Sequence, residues 1–450
     1  MLSLDKSLKT VNILFVLPEY YPHSGGGIST YYQHYIKAIK PHCQRVKVIV
    51  GSGYVQGTDK FEHEGVEIAY LDPALYHEYL TKFDKLTFLP EYRNNIAAAW
   101  AMWQQTNQGE GFDVIECADF GLGYVPWLIH HNKPVITRLH GSAGQIALHE
   151  NNSDTSPGID ANMHTELALL PLSDRIITHS RANQQFWSGI LKSSDIKYLP
   201  PVYCPAMTLP LSLSERNNYG LVTARIQKWK GPEELCKAVS ELKTTVPLKW
   251  YGRDVAYDKV LTTYEYLQLG YPNIWCKLIE VNEPVNHQEV LAMQRKAKFG
   301  VVPSVWDMFN FTCTELMAAG TPVICADGAG AAELIENGLN GYTYPANDTH
   351  ALAECITKMN SLTENEYNSM AIAAQQTIKE KLNSPELIEA YMREYASVLQ
   401  NFTSSIASVF LQQIYSPDNE SQTLEEVLNK QPLKKLVQYL LKRIKGKYLQ

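Results

Sequence analysis

The sequence predicts an α/β chain of two doubly wound domains, each a parallel sheet with helices on both faces. Three observations carry this. Short, apolar, β-rich runs alternate with helical patterns along most of the 450 residues, the order that builds parallel sheets. One stretch, 198–220, breaks the alternation with four prolines, serines and Asn217-Asn218, a linker composition. The chain is also too long for one ordinary core and suits two domains of roughly 200 residues each.

In the first half, strands are expected at 11–17, 46–50, 66–71, 114–117, 135–139 and 175–178. Each is short and apolar, as strands buried on both faces should be. Helical patterns lie between them at 28–39, within 91–105, and at 124–130 and 163–170. After the break, strands are expected at 221–224, 248–251, 274–279, 299–302 and 322–326, with helices at 232–242, 287–295, 312–319 and 331–336. Ser384-Pro385-Glu386 opens a further helix, with Ser as N-cap, Pro at the first position and Glu complementing the positive end. The domains therefore read as 1–200, a linker at 201–219, 220–383, a closing helix at 384–400 and an extension at 401–450. A cleft between two such units is a common place for a ligand.

The formal net charge of −7 argues against a nucleic-acid-binding protein, which would need a strongly basic domain. Eight cysteines are scattered with no C-x-x-C spacing, which excludes a zinc ribbon and does not suggest a disulfide framework. The run 11–17 is too short for a signal-peptide core, and no stretch approaches the ~20 apolar residues of a membrane span. These features predict a cytoplasmic protein.

Two segments carry the chemistry. The first expected strand leads through Pro22-His23-Ser24-Gly25-Gly26-Gly27 into a helix, where glycines let backbone N–H groups approach a ligand. In the second half, Pro303-Ser304-Val305-Trp306-Asp307-Met308-Phe309-Asn310-Phe311 joins a strand to a helix whose N-terminus suits a diphosphate. Asp307 lies at the mouth and Glu315 eight residues on, where a carboxylate could accept from a ribose diol. On spacing alone, two carboxylates eight residues apart read mostly as solvated charges.

The segment resembles the acidic-x7-Glu signature of retaining glycosyltransferases of family 4, also described as glycosyl transferases group 1. Other segments agree in order: Gly25-Gly26-Gly27-Ile28, Leu139-His140-Gly141, Ser173-Asp174-Arg175-Ile176-Ile177-Thr178-His179-Ser180, Ala224-Arg225 with Lys230-Gly231, and Gly328-Ala329-Gly330 before Glu333 and Gly338-Leu339-Asn340-Gly341. The resemblance runs from about 11 to about 400. It implies the GT-B fold, two Rossmann-like domains around a cleft, with acceptor on the first and nucleotide sugar on the second. It implies transfer of a sugar from a nucleotide-diphosphate sugar to a glycan or lipid-linked glycan, with retained anomeric configuration. In that reading Arg225 and Lys230 neutralise the leaving diphosphate in place of a metal, and no cofactor is needed. Amides of Phe309, Asn310 and Phe311 complete the donor pocket, Glu315 holds the ribose, and Asp307 the donor-sugar hydroxyls. His140 stands near the reacting sugar, Gly26 and Gly27 pack over the substrates, and Glu333 follows a turn suited to sugar contact.

The chain departs from the family pattern at three points: Asp307 stands where Glu is usual, Asn310 where Gly is usual, and Ala224 where Gly is common. A nucleotide-sugar epimerase of the same architecture and a non-catalytic nucleotide-sugar-binding protein are the competing readings. Glu166 reads as a surface residue of its helix. At the C-terminus, Thr423-Leu424-Glu425-Glu426 is a capping-box pattern. Residues 431–450 place six basic and no acidic side chains around an apolar helical face. That pattern fits either peripheral contact with an anionic membrane or a helix packed on its own protein.

Overall fold

The computed structural model describes residues 11–22, 26–150, 157–193, 195–417 and 428–448, without the side chains of 446–448. The first sheet begins with β1 (Asn12–Leu17), followed by α1 (Gly27–Ile39), β2 (Arg45–Val50), β3 (Lys60–His63), β4 (Val66–Tyr70), α2 (Pro73–Lys82) and α3 (Pro90–Gln105). It continues with β5 (Val114–Ala118), α4 (Val125–His130), β6 (Val135–Leu139), α5 (Ala143–Ala147), α6 (Pro157–Leu169), β7 (Arg175–Thr178), α7 (Arg181–Leu191) and β8 (Ile196–Tyr198). The strand order is β3-β4-β2-β1-β5-β6-β7-β8, parallel except for the exposed edge strand β3. Central strands β5 and β6 are buried at every position, as helices on both faces require.

The second sheet comprises β9 (Asn217–Thr223), α8 (Pro232–Glu241), β10 (Leu248–Tyr251), α9 (Thr263–Gly270), β11 (Ile279–Asn282), α10 (His287–Lys296), β12 (Ala297–Val302), α11 (Phe311–Ala318), β13 (Val323–Ala326) and β14 (Gly341–Tyr344). Helices α12 (Thr349–Asn360) and α13 (Glu364–Leu382) follow. Its order, β11-β10-β9-β12-β13-β14, is parallel throughout. In both sheets the chain winds outward from the first strand and then returns to its other side. The β1/β5 and β9/β12 junctions are therefore switch points, which open crevices at strand C-termini.

Helix α14 (Pro385–Asn401) starts as expected, with the Ser384 side chain accepting the Leu387 N–H at 3.3 Å. It returns to the first domain, burying Leu387, Tyr391, Tyr395 and Val398 in that domain's core. Beneath it Arg138 donates to Glu116 at 2.7 Å with both side chains fully buried. Tyr395 donates to the other Glu116 oxygen at 2.5 Å. The Tyr31, Tyr35 and Tyr391 rings surround the guanidinium at 4.6–5.3 Å. Helix α15 (Val409–Tyr415) docks nearby, the Trp100 indole donating to the Tyr415 carbonyl at 2.9 Å. The last described helix is α16 (Leu433–Tyr448).

Two sequence expectations are corrected. The strand expected at 274–279 is instead a turn over 274–278, with Leu278 N–H bonded to the Ile274 carbonyl at 2.9 Å. Cys276 adopts φ +64°, which ends extended backbone there, and β11 begins only at Ile279. The apolar signal came from Trp275, which is buried whichever element carries it. The helix expected at 331–336 is a 3-10 turn, Gly330–Leu334. Asn340 takes the Glu336 N–H at 2.7 Å, diverting the chain before a second helical turn. The pattern 423–426 and residues 23–25 lie outside the described residues.

Candidate active site

The β9/β12 crevice gathers the second-domain residues singled out in the sequence, with the exception of Glu333. Strand β9 runs into Ala224-Arg225, then into a 3-10 turn, Lys228–Lys230, closed by Gly231. Gly231 has φ +75°, and a Cβ there would meet the Pro303 carbonyl oxygen at 1.8 Å. Only glycine allows this backbone to lie against the exit of β12. That contact delivers Lys230 Nζ to Asp307 Oδ2 at 2.5 Å, each side chain 14 % exposed. Burial lowers the Lys230 pKa, and Asp307 opposes it. Arg225 is exposed at the mouth, 5.7 Å from the Trp229 ring, and among the described residues its guanidinium makes no hydrogen bond or ion pair. Surrounding protein lowers its pKa while Asp307 and Glu150 raise it.

The loop carrying Asp307 is fastened to the turn after β13. Asp307 N–H donates to Gly328, Gly330 N–H to the Asp307 carbonyl at 3.1 Å, and Ala331 N–H to Phe309 at 2.6 Å. Asn310 has φ +83°, a region open mainly to glycine and, among side-chain-bearing residues, to Asn and Asp. This explains Asn where the family pattern has Gly. Its Oδ1 caps α11 by accepting the Cys313 N–H at 3.2 Å, while its Nδ2 donates to Asp307 Oδ2 at 2.8 Å. Phe309 is buried and Phe311 partly so, at the N-terminus of α11, whose first-turn amides lack intrahelical partners.

Glu315 is buried and already engaged. His287 Nε2 meets its Oε1 at 2.9 Å, and Gln294 donates to its Oε2 at 3.0 Å. The hydrogen bond of His287 with Glu315 raises the His287 pKa, against desolvation. Glu333 stands apart from this group. Its carboxylate accepts the Arg181 N–H at 2.6 Å and the Ala182 N–H at 3.4 Å, capping first-domain helix α7 across the domain boundary. The approach is close there because Gly330 has no side chain: a Cβ would meet Ser180 Cβ at 2.5 Å.

On the first-domain side, Gly26 caps α1, and Glu19 fills the helix end by accepting the Ser29 N–H at 3.1 Å. Gly27 faces Phe311 across the cleft, a virtual Cβ lying 4.0 Å from that ring. His140 follows β6. Its N–H donates to Asp119 Oδ1 at 2.9 Å, and its ring packs 5.1–5.3 Å from those of Tyr31, Tyr32 and His179. Its Nε2 is sealed with no hydrogen-bond partner among the described residues, as is that of His179. Burial, reinforced by Arg138, holds the His140 pKa well below its ordinary value, so the ring is neutral near pH 7. His179 Nδ1 lies 3.2 Å from the Leu199 carbonyl, leaving its Nε2 as an acceptor. At the following residue, Gly141, an added Cβ would lie 3.5 Å from the ring of Trp306, next to Asp307.

Several residues here carried no sequence assignment. Asp119, fully buried, is pushed up to about 7 by burial, with the amides of His140, Phe120 and Gly141 opposing. It follows β5 as His140 follows β6, and asking what stands at each strand's C-terminus would have found it. Glu166 is not a surface residue. It is 2 % exposed, accepts from Ser142 Oγ at 2.8 Å and Gly144 N–H at 3.2 Å, and is likewise raised to about 7 by burial. Helix α6 turns that face onto the loop after His140, a contact no local pattern reveals. Across the cleft His149 stacks on Trp306 at 4.2 Å. Beside it Glu150 accepts from the Trp229 indole at 3.1 Å and from Gln227. Among the described residues no group of three or more His, Cys, Asp or Glu side chains is arranged to hold a metal ion.

Residues 217–361 match the family model described as Glycosyl transferases group 1. The chain is 24 % identical to a D-inositol 3-phosphate glycosyltransferase of Corynebacterium glutamicum over 55 % of this chain and 64 % of that protein. It is 23 % identical to one from Streptomyces avermitilis over 65 % and 66 %; it thus spans just under two thirds of these curated relatives. Among solved structures, sucrose-phosphate synthase from Thermosynechococcus elongatus superposes with a TM-score of 0.64 at 17 % identity, covering 86 % of this chain and 99 % of that one. Anabaena HepE, in complex with UDP and glucose, superposes with a TM-score of 0.58 at 14 % identity over 86 % and 100 %. Residues 217–361 thus resemble the glycosyl transferases group 1, and the two-sheet architecture is the GT-B fold.

Proposed function

We propose that the protein is a retaining glycosyltransferase that moves a sugar from a nucleotide-diphosphate sugar to a glycan or lipid-linked glycan. The observation that carries this reading is the meeting of Arg225, Lys230 and Asp307 at the β9/β12 switch point. An unpaired guanidinium and an ammonium held by one carboxylate are suited to a diphosphate, the Arg in forked geometry and the Lys as a point charge. Charge on that leaving group grows in the transition state, so fixed cations there lower the barrier rather than merely bind. Lys230 exchanges Asp307 for phosphate oxygens, and Asp307 is released toward the donor-sugar hydroxyls. Phe309, Asn310 and Phe311 form the adjoining pocket wall, with Glu315 beside the ribose, where it gives up one of its present partners. Neutral His140 faces the reacting sugar from the first domain, positioned by Asp119. The relatives' names support glycosyl transfer, and the UDP and glucose held by HepE support a nucleotide-linked donor.

Incubation with UDP-, GDP- and ADP-sugars tests the reading. Slow donor hydrolysis that persists in EDTA is the expected result, since the cationic pair does the work of a metal in this account. An isomerised sugar would instead identify an epimerase, and binding without turnover a sugar-nucleotide-binding protein.

A further inference from the structure

We infer that the apolar face of α16 is a docking surface for an anionic membrane. Leu433, Leu436, Val437, Leu440, Leu441 and Ile444 fall within an arc of about 140° at 100° per residue. Among the described residues nothing covers most of this stripe: Leu436 is partly buried, but Leu433 is 75 % exposed, Leu440 56 % and Ile444 53 %. A helix built to pack on its own protein would bury that stripe. Lys434, Lys435, Lys442, Arg443 and Lys445 flank it and cover the opposite side, with no acidic residue between 433 and 448.

A second apolar group lies in the same extension. Ile406, Val409, Phe410 and Ile414 are 56–78 % exposed, on or just before α15. That helix is fixed to the first domain by buried Tyr415 and by Trp100. An interfacial helix gains from apolar insertion and from attraction to anionic headgroups, and stable attachment generally combines two such signals. Among the described residues no helix is long and apolar enough to cross a membrane, so α16 lies on the surface. A second copy is disfavoured as occupant because face-to-face α16 helices would bring two like-charged basic rims together. The inference is independent of the proposed reaction, since it needs no donor.

Full-length protein co-sedimented with phosphatidylglycerol-containing vesicles should bind, and should not bind phosphatidylcholine alone. Raising salt from about 0.05 M to about 0.5 M should release it, because the attraction is screened. Lys434→Glu/Lys435→Glu/Lys442→Glu and, separately, Leu440→Ser/Ile444→Ser should each lower the bound fraction about ten-fold or more, with an unchanged far-UV spectrum and thermal transition. Absence of binding to anionic vesicles, or equal binding to neutral ones, would overturn the inference. So would a dimer in light scattering that Leu440→Ser/Ile444→Ser dissolves, which would make the face a contact between copies.

Discussion

The two faces of the cleft rest on the same plan, side chains at the C-terminal ends of switch-point strands, but they are finished differently. On the second domain Arg225 is exposed and Lys230 and Asp307 satisfy one another, a charged surface ready to exchange partners. On the first domain Asp119 and His140 stand at corresponding strand ends but are packed under Tyr31, Tyr32 and His179. Their charged forms are suppressed by burial. One face is organised to bind charge, and the other is a rigid neutral wall braced from behind by the Glu116–Arg138–Tyr395 network. Under the proposed reaction, donor recognition would fall to the second domain and positioning of the reacting sugar to the first.

The bracing gives the largest expected effect. Glu116→Ala leaves Arg138 buried with no counter-charge and Tyr395 without its acceptor, so it should destabilise the protein by about 3–5 kcal/mol, read by denaturant unfolding. A loss within about 0.5 kcal/mol, typical of a surface site, would remove the contrast between the two faces.

Asn310 sharpens the other half of the comparison. Asn310→Ala loses an N-cap and places alanine at φ +83°, together costing about 1–3 kcal/mol. Asn310→Gly relieves the backbone and should cost less than Asn310→Ala in the same thermal unfolding series. The reverse order would show that the backbone angle does not govern this position.

A smaller effect separates buried carboxyls from exposed ones. Glu166 is raised to about 7 in the folded chain, against about 4.3 when unfolded. Between those values the native state holds a proton that the unfolded state has released, so Glu166 makes stability fall as pH rises toward 7. Glu166→Gln cannot titrate. Its Tm relative to the parent should therefore climb from pH 5 to pH 8, and a flat or falling difference would contradict the burial argument.

How much was legible beforehand follows the same division. The second-domain site lies mostly in one run, 303–315, plus the Arg225–Lys230 turn, so a linear pattern could show it. The first-domain wall is assembled from Tyr31, Asp119, His140, Glu166 and His179, with Tyr391 and Tyr395 returning from α14. Such residues meet only through topology. Periodicity placed the buried strands well, because parallel strands are apolar throughout. It misplaced the strand at 274–279, where a buried tryptophan in a turn gives the same apolar signal. Glu315 was marked as a ligand for ribose, but its partners His287 and Gln294 come from another helix and leave no trace in local spacing.

The division of labour is tested most directly by titrating UDP, GDP and ADP into the parent protein and into Arg225→Ala, Lys230→Ala and His140→Ala, with donor turnover measured on each. Arg225→Ala and Lys230→Ala should weaken binding of the preferred nucleoside diphosphate about ten-fold or more and lower turnover about 100-fold. His140→Ala should bind it as the parent does while losing turnover. If His140→Ala abolishes diphosphate binding and both clamp variants retain it, the charged face is not the donor site and the account fails.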